Sequence, residues 1–394
     1  MSLLEDSPAV GAGAPAHEPP TTTVVLGGGC AGLALAVAVA DRHPEAALTA
    51  LEARRGDADT RTWCYWDVGA ALLPEAVTAS WSRWEIRTPA GSVVAEDHDH
   101  PYRMVRARDY RAAARRRIAG SGHVDLREGV RAELPLPTGA DGIDRFVDAR
   151  GIGAPEPLRS GRVRLQQRFL GQWIRTARPV FDPSTVTLMD FRPADADGTP
   201  FVYVLPVTTT SALVEATVFT SGGQGSRPFR EQIRAYVRER WGLADDEWAV
   251  DEEEAGSIPM TDQPADASHA AFGMRAGIAR ASTGYAFTRI QLAARSAAAA
   301  IAAGAALPTT RDPWRVRALD AVFLRFLRDQ PQRAPEVFLR MFAALPGPLT
   351  VRFLTERSSP LDELRLILAL PKLPFLRAAV TTAIERLAAL VPRG

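Results

Sequence analysis

Three glycines and two acids carry the chemistry that the sequence offers. Gly27, Gly29 and Gly32, in the run Gly27-Gly28-Gly29-Cys30-Ala31-Gly32, have the G-x-G-x-x-G spacing. At a strand-to-helix turn each has its own task. The first permits a tight turn and the second lets an anionic group approach the backbone. The third lets the helix lie close to the strand, and the helix N-terminus faces the anion. Glu52 follows Gly32 by 20 residues, where the ribose hydroxyls of a dinucleotide need an acceptor. The second acid is Glu215, in the run Ala-Leu-Val-Glu-Ala-Thr-Val-Phe over residues 212–219. A carboxyl group in apolar surroundings has a raised pKa and can donate a proton at neutral pH. On a strand, Leu213, Glu215 and Thr217 share one face. The same pattern also fits an acid facing solvent or ion-paired at a sheet edge.

The elements around these residues follow from pattern. Residues 21–26 form a β-branched, apolar run that ends at the glycines, a buried parallel strand. Residues 31–41 read as a close-packed helix and 47–51 as a second strand, together a β-α-β unit. Residues 81–97 alternate weakly, as a small antiparallel insertion. A helix over 110–118 and short strands at 124–126 and 145–148 come next. Runs at 163–174, 185–191, 201–207 and 212–220 point to a second, antiparallel sheet. Residues 283–303 read as a helix, and from 311 onward the pattern is helical. The fold class is therefore α/β, a Rossmann-type dinucleotide-binding part with an antiparallel sheet and a C-terminal helical region. Residues 1–20 read as a disordered leader. The dinucleotide-binding part spans 21–160 and 256–310, the sheet part 161–255 and the helical region 311–394.

Composition narrows the classes. The 394 residues are 46% apolar and 24% charged, with a net charge of +1, so bulk charge gives no case for nucleic acid. Cys30 and Cys64 make neither a metal nor a disulfide pattern, and the histidines have no ligand spacing, so no metal is expected. A reduced intracellular compartment fits the two cysteines. No apolar stretch is long enough for a spanning helix, and the start lacks the features of a signal peptide.

The motif at the start of the chain, followed by a β-rich part, points to FAD rather than NAD. The late return to the flavin fits residues 273–278 and the run Ser282-Thr283-Gly284-Tyr285, which makes Gly277, Thr283, Gly284 and Tyr285 candidate contacts. The helix N-terminus at Thr283-Gly284 would aim free N–H groups at the flavin or its phosphates. Arg61 and Thr62 are candidates for the pyrophosphate, and Gly28 and Ala31 for the turn itself. Val130 is a candidate backbone contact to adenine. Asp148 and Asp190 are candidate polar partners of the ribityl chain or the pocket.

Several segments jointly resemble the bacterial lycopene cyclase family. They are Arg61-Thr62-Trp63-Cys64-Tyr65-Trp66, Met189-Asp190-Phe191-Arg192, Phe201-Val202-Tyr203-Val204-Leu205-Pro206 and Ala212-Leu213-Val214-Glu215-Ala216-Thr217. Ile258-Pro259-Met260-Thr261-Asp262, Ser282-Thr283-Gly284-Tyr285-Ala286-Phe287 and Leu370-Pro371-Lys372-Leu373-Pro374-Phe375 complete the set, in order from about residue 21 to 380. The resemblance implies a non-redox flavoenzyme, an isomerase that works with reduced FAD, with NADPH as reductant. Its substrate is the acyclic ψ-end group of lycopene and its products are γ-carotene and β-carotene. It also implies that Glu215 is the essential acid. Many members carry a second acid directly after it, and here that position is Ala216. Ala281 stands where members often have proline.

Ring closure needs that acid. A proton adds to the terminal alkene, the next alkene attacks the cation, and loss of a ring proton ends the reaction. A dry pocket with aromatic faces stabilises the cation. Trp63, Tyr65, Phe201 and Tyr203 are the candidate substrate contacts, with Trp66 and Tyr285 as further aromatics. Residues 311–394 carry 14 basic and 8 acidic residues. The runs 323–328 and 337–342 mix large apolar residues with Arg, which suits helices at an anionic bilayer surface or packed on the core. A cytoplasmic enzyme attached peripherally to the inner face of the membrane is the expectation. The alternatives are an FAD-dependent monooxygenase or halogenase, and a carotenoid- or flavin-binding protein without turnover. The first usually has an Asp before the last helix, and residues 273–280, Gly-Met-Arg-Ala-Gly-Ile-Ala-Arg, contain no acid.

Overall fold

The computed structural model describes residues 22–56, 59–132, 145–153, 156–192, 198–222, 226–265, 270–309 and 311–389. The predicted leader lies outside the described residues. The chain opens with β1 (Thr22–Leu26), α1 (Cys30–Arg42) and β2 (Ala47–Glu52). Five strands follow: β3 (Thr62–Trp66), β4 (Val77–Trp81), β5 (Arg83–Thr88), β6 (Gly91–Glu96) and β7 (Tyr102–Arg106). Next come α2 (Ala107–Ala119), β8 (Val124–Glu128) and β9 (Arg145–Asp148). Strands β8, β2, β1 and β9 form a parallel sheet in that order. Every residue from Ala31 to Val39 is buried, because α1 lies between this sheet and other helices. Such a helix is apolar all round, and its small side chains permit the close packing.

The second sheet contains β10 (Arg164–Thr176), β11 (Thr185–Phe191), β12 (Thr199–Pro206) and β13 (Ser211–Thr220). After α3 (Ser226–Trp241) it is completed by β14 (Trp248–Thr261). The order is β14-β10-β13-β12-β11-β5-β6. It is a mixed sheet, since β11 pairs with β5 in parallel. The predicted insertion at 81–97 is therefore partly an extension of this sheet, and the smaller sheet is β3-β7-β4. One face of the large sheet packs Ile174, Val202, Val214 and Ala216 against Phe229, Ile233 and Val237 of α3. The other face presents Trp173, Phe201, Leu213 and Phe219 to a second core. Burial on both faces explains why β13 reads as nearly continuous apolar sequence.

The last helices are α4 (Phe287–Ala302), α5 (Trp314–Asp329), α6 (Ala334–Ala344), α7 (Gly347–Leu354), α8 (Pro360–Ala369) and α9 (Lys372–Ala388). Helix α5 packs against α9 and against β10 and β14. Helices α8 and α9 meet at a 115° bend, and among the described residues no single helix is long and apolar enough to cross a membrane.

Candidate active site

The glycine turn is built by close approach. Gly27 has φ +102°, and a Cβ there would lie 2.9 Å from the Ala149 carbonyl oxygen. A Cβ on Gly32 would lie 1.8 Å from the Gly27 oxygen, so the helix can sit this close to the strand only without a side chain. At Gly29 the same test finds nothing nearer than the Arg61 guanidinium at 4.0 Å, so the space above the turn is open. Gly28 approaches the Glu52 side chain, and its N–H donates to Glu52 Oε2 at 2.7 Å. The Arg54 N–H donates to the other carboxylate oxygen at 2.9 Å. Burial opposes the charge on Glu52, but these hydrogen bonds and the Arg54 guanidinium outweigh it and lower the pKa.

Above the turn runs a cavity of about 1000 Å³. Glu52, Arg54, Val130 and Arg131 line one part of it, and Phe169, Glu254, Gly256, Ile258, Gly284 and Phe287 line another. Gly27, Gly29, Ala31, Arg61, Thr62 and Trp63 lie along its wall. Neither α1 nor α4 has a side-chain cap at its N-terminus, and residues at both termini line the cavity. Uncapped N–H groups, an open glycine and a guanidinium together fit a pyrophosphate. Arg61 is aimed by Asp59, a residue not singled out in the sequence. Its Nε donates to Asp59 Oδ1 at 2.7 Å and its Nη2 bonds Oδ2.

Beside this cavity one row crosses four strands. The register places Tyr203 opposite Glu215, Glu215 opposite Gly171, and Gly171 opposite Glu254. Side chains of a cross-strand row share a face. Glu215 is 7% exposed and accepts a hydrogen bond from the Thr217 hydroxyl at 2.8 Å. It has no ion-pair partner among the described residues, so the readings of a solvent-facing or ion-paired acid are both excluded there. Burial, and then the charge of Glu254, push its carboxyl up to about 8, against the Thr217 hydrogen bond. Glu254 is 4% exposed and accepts from the Thr62 hydroxyl at 2.6 Å. Burial pushes it up to about 7, opposed by hydrogen bonds with Thr62 and by Arg106. Next to the row, the Tyr203 hydroxyl donates to the Tyr102 hydroxyl at 2.8 Å. The sequence reading missed Glu254. It hides within the acidic run Asp251–Glu254, where only strand alternation and register select one carboxylate.

Other predicted residues stand elsewhere or act differently. Tyr65 is on the opposite face of β3 from Thr62 and Cys64, stacked on Phe287 with ring centroids 4.6 Å apart. Trp63 shares that face but reaches the cavity wall. Phe201 packs between Phe191 and Phe219, at 5.8 and 5.0 Å, and does not line the cavity. Trp66 is buried against Trp84 and Tyr102. Asp148 is held by Arg150 at 2.9 Å and Arg275 at 3.2 Å, and the neighbouring Ala149, Arg150 and Gly151 line the cavity instead. Asp190 accepts from Tyr236 of α3 at 2.9 Å, on the other side of the sheet. Gly277, with φ +70°, closes a turn against Ala265 and is not on the cavity. The helix predicted to start at Thr283-Gly284 starts at Phe287. The Thr283 hydroxyl accepts from the Tyr285 N–H at 3.2 Å, and Gly284, with φ +71°, turns the chain first. Tyr285 packs with the second core, on the side of Tyr102. The Val130 N–H donates to the Glu52 carbonyl at 3.0 Å, which leaves only its carbonyl as a backbone contact. Among the described residues no three His, Cys, Asp or Glu side chains are grouped as a metal site.

The fold and cavity define the class, a protein of the Rossmann-type FAD-binding fold with a mixed sheet beside the cavity. Two solved structures of that fold are a flavoprotein/dehydrogenase from Cytophaga hutchinsonii and the p-nitrophenol 4-monooxygenase of Pseudomonas putida. The first has a TM-score of 0.60 at 12% identity over 93% of this chain and 100% of that one. The second has 0.56 at 14% identity over 94% and 97%. The family model described as lycopene cyclase protein matches residues 23–380, and the chain belongs to that family. It is 27% identical over 387 residues to the lycopene beta-cyclase of Pseudescherichia vulneris, covering 89% of this chain and 94% of that protein. A lycopene beta-cyclase of a Paracoccus species is 26% identical over 388 residues, covering 89% and 94%.

Proposed function

We propose that this protein is an isomerase that closes the ψ-end groups of lycopene into β-rings, giving γ-carotene and β-carotene, with FAD held in the cavity. The observation that carries this reading is Glu215, a buried carboxyl group without a cation among the described residues, joined across Gly171 to the cavity-lining Glu254 and pushed by burial up to about 8. The carotenoid substrate follows from the names of the relatives. Gly27, Gly29, Arg61 and the termini of α1 and α4 would hold the pyrophosphate, and Glu52 the ribose. Reduced FAD, with NADPH as reductant, would supply negative charge that stabilises a cationic polyene. Glu215 donates the proton to the terminal alkene. Of the aromatic side chains singled out in the sequence, Trp63 lines the cavity and is placed to face the cation. Tyr203 is off the cavity wall, beside Glu215 in the row, and burial of the row keeps water from trapping the cation.

Anaerobic incubation with lycopene, FAD and a reductant tests the reading. Cyclised products of unchanged mass are expected. An added oxygen or halogen would instead identify a monooxygenase or halogenase. Glu215→Gln is expected to keep FAD and lose cyclisation by about 10²-fold or more.

We further propose that the enzyme docks on the membrane that holds its substrate, in a cytoplasmic setting. The surface differs from the runs singled out in the sequence. Leu324, Phe326, Val337 and Phe338 are buried in the core. The exposed apolar residues are later, Leu361, Leu364 and Leu368 on α8 and Leu373, Leu376, Val380, Ile384 and Leu387 on α9. Their three- and four-residue spacing makes one stripe on each helix, with exposures from 49 to 79%.

A further inference from the structure

We infer that Glu254 is the second carboxyl group of the reaction, the base that takes the ring proton and hands it to Glu215 across Gly171. This rests on the cyclase reading above. The geometry comes from three strands. Gly171 of β10 stands between Glu215 of β13 and Glu254 of β14 in one row. It has no side chain to separate them. A Cβ there would lie 3.5 Å from Glu215 Cβ and 3.3 Å from Glu254 Cγ, so both side chains close over the glycine. Glu254 also lines the cavity wall, which places it at the border between cavity and row.

Glu254 differs from the acids beside it on β14. Asp251 is paired with Arg175, Glu252 with Arg106 and Arg108, and Glu253 with Arg230. Glu254 has no ion pair among the described residues and is met instead by the Thr62 hydroxyl at 2.6 Å. Both acids have a hydroxyl donor, Thr62 for Glu254 and Thr217 for Glu215, so what sets Glu254 apart is Arg106 of β7, which favours its carboxylate. Glu215 lacks any such cation. Two interacting acids share protons as a pair. The asymmetry makes Glu215 the protonated member and Glu254 the ionised one. The groups facing them are Thr62 and Cys64 of β3, Arg106 of β7, Tyr203 of β12, Thr217 of β13 and Glu252 of β14.

The proton balance closes without a co-reactant. The Glu215 O–H bond breaks as a C–H bond forms at the terminal alkene. The electron pair of the second alkene forms the ring bond. The C–H bond at the new ring junction breaks, its electron pair makes the ring double bond, and its proton bonds to a Glu254 oxygen. Transfer from Glu254 to Glu215 then restores the starting state. The acid run therefore supplies from β14 the second carboxyl group that Ala216 does not.

Glu254→Gln, Glu254→Asp and Glu254→Ala test this, with FAD content, rate and pH profile as readouts. The Gln variant is expected to keep FAD and turn over about 10²- to 10⁴-fold more slowly. Its pH profile is expected to lose the acid limb, and its alkaline limb to move to lower pH, since the charge that raises the Glu215 pKa is gone. The Asp variant is expected to retain part of the rate and both limbs. Formate is expected to restore activity to the Ala variant. Cyclisation by the Gln variant at the wild-type rate with both limbs intact would overturn the proposal. Loss of FAD from both Gln and Asp variants would also overturn it, because Glu254 would then serve the cofactor. Failure of the wild-type protein to cyclise lycopene would instead sink the cyclase reading itself.

Discussion

A carboxyl group inside a sheet that is packed on both faces keeps its proton until something compensates the charge. Glu215 has one hydroxyl partner and a second carboxylate nearby, so its folded pKa of about 8 stands above the ordinary value of 4.5. The sign of the stability effect follows. The unfolded chain releases this proton first, so the contribution is complete below about 4.5 and is lost as pH rises towards 8. Each pH unit in that window is worth up to about 1.4 kcal/mol. Glu215→Gln removes the dependence. In urea unfolding it is expected to be nearly as stable as wild type at pH 5 and clearly more stable at pH 8. Parallel stability curves would place Glu215 in water. Gly171→Ala probes the same row by volume. The added methyl would lie 3.0 Å from Leu213 Cδ1 and 3.3 Å from Glu254 Cγ. It is expected to fold with a loss of about 1–3 kcal/mol and to cyclise at least about 10-fold more slowly, measured by product formation and thermal melts.

At the scale of elements, the strand–turn–helix β1–α1 depends on a contact that leaves no room. Gly32→Ala puts a methyl group against the Gly27 carbonyl, and neither is a flexible side chain that could move aside. The helix must shift from the strand, and the cavity wall with it. The variant is expected to lose at least about 1–3 kcal/mol of stability and to purify without FAD, read from the flavin absorbance. The patterns that misled lie at this scale too. Strand β14 carries Asp251–Glu254, an acidic run with no apolar alternation, because Asp251 and Glu253 pair with arginines while Glu254 points inward. Helix α3 was also not evident from the sequence. Helix α4 begins four residues later than its Thr283 signal, since Thr283 supports the turn and not the helix.

For the whole molecule, the exposed stripe on α8 and α9 is the feature to test. The bend lets both helices present their stripes, and Lys372, at the bend, donates to the carbonyls of Ile367 at 2.5 Å and Leu368 at 2.7 Å. Leu373→Glu with Leu376→Glu is expected to reduce co-sedimentation with anionic vesicles about 10-fold or more. Cyclisation of detergent-dispersed lycopene is expected to stay near wild type. Unchanged sedimentation would exclude this surface as the docking face.

The sequence by itself determined the turn Gly27–Gly32, its acid Glu52, the parallel and antiparallel sheet content and the apolar setting of Glu215. These are local, because spacing and side-chain type dictate them within a few residues. Only the tertiary structure decided which acids share a site. Register across β13, β10 and β14 joins Glu215 to Glu254, 39 residues apart in sequence, and that register is set by packing on two faces. The same holds for Tyr65 and for the Phe326 helix. Their side chains read alike in sequence whether they face a cavity, a bilayer or a core, and the neighbouring elements chose the core.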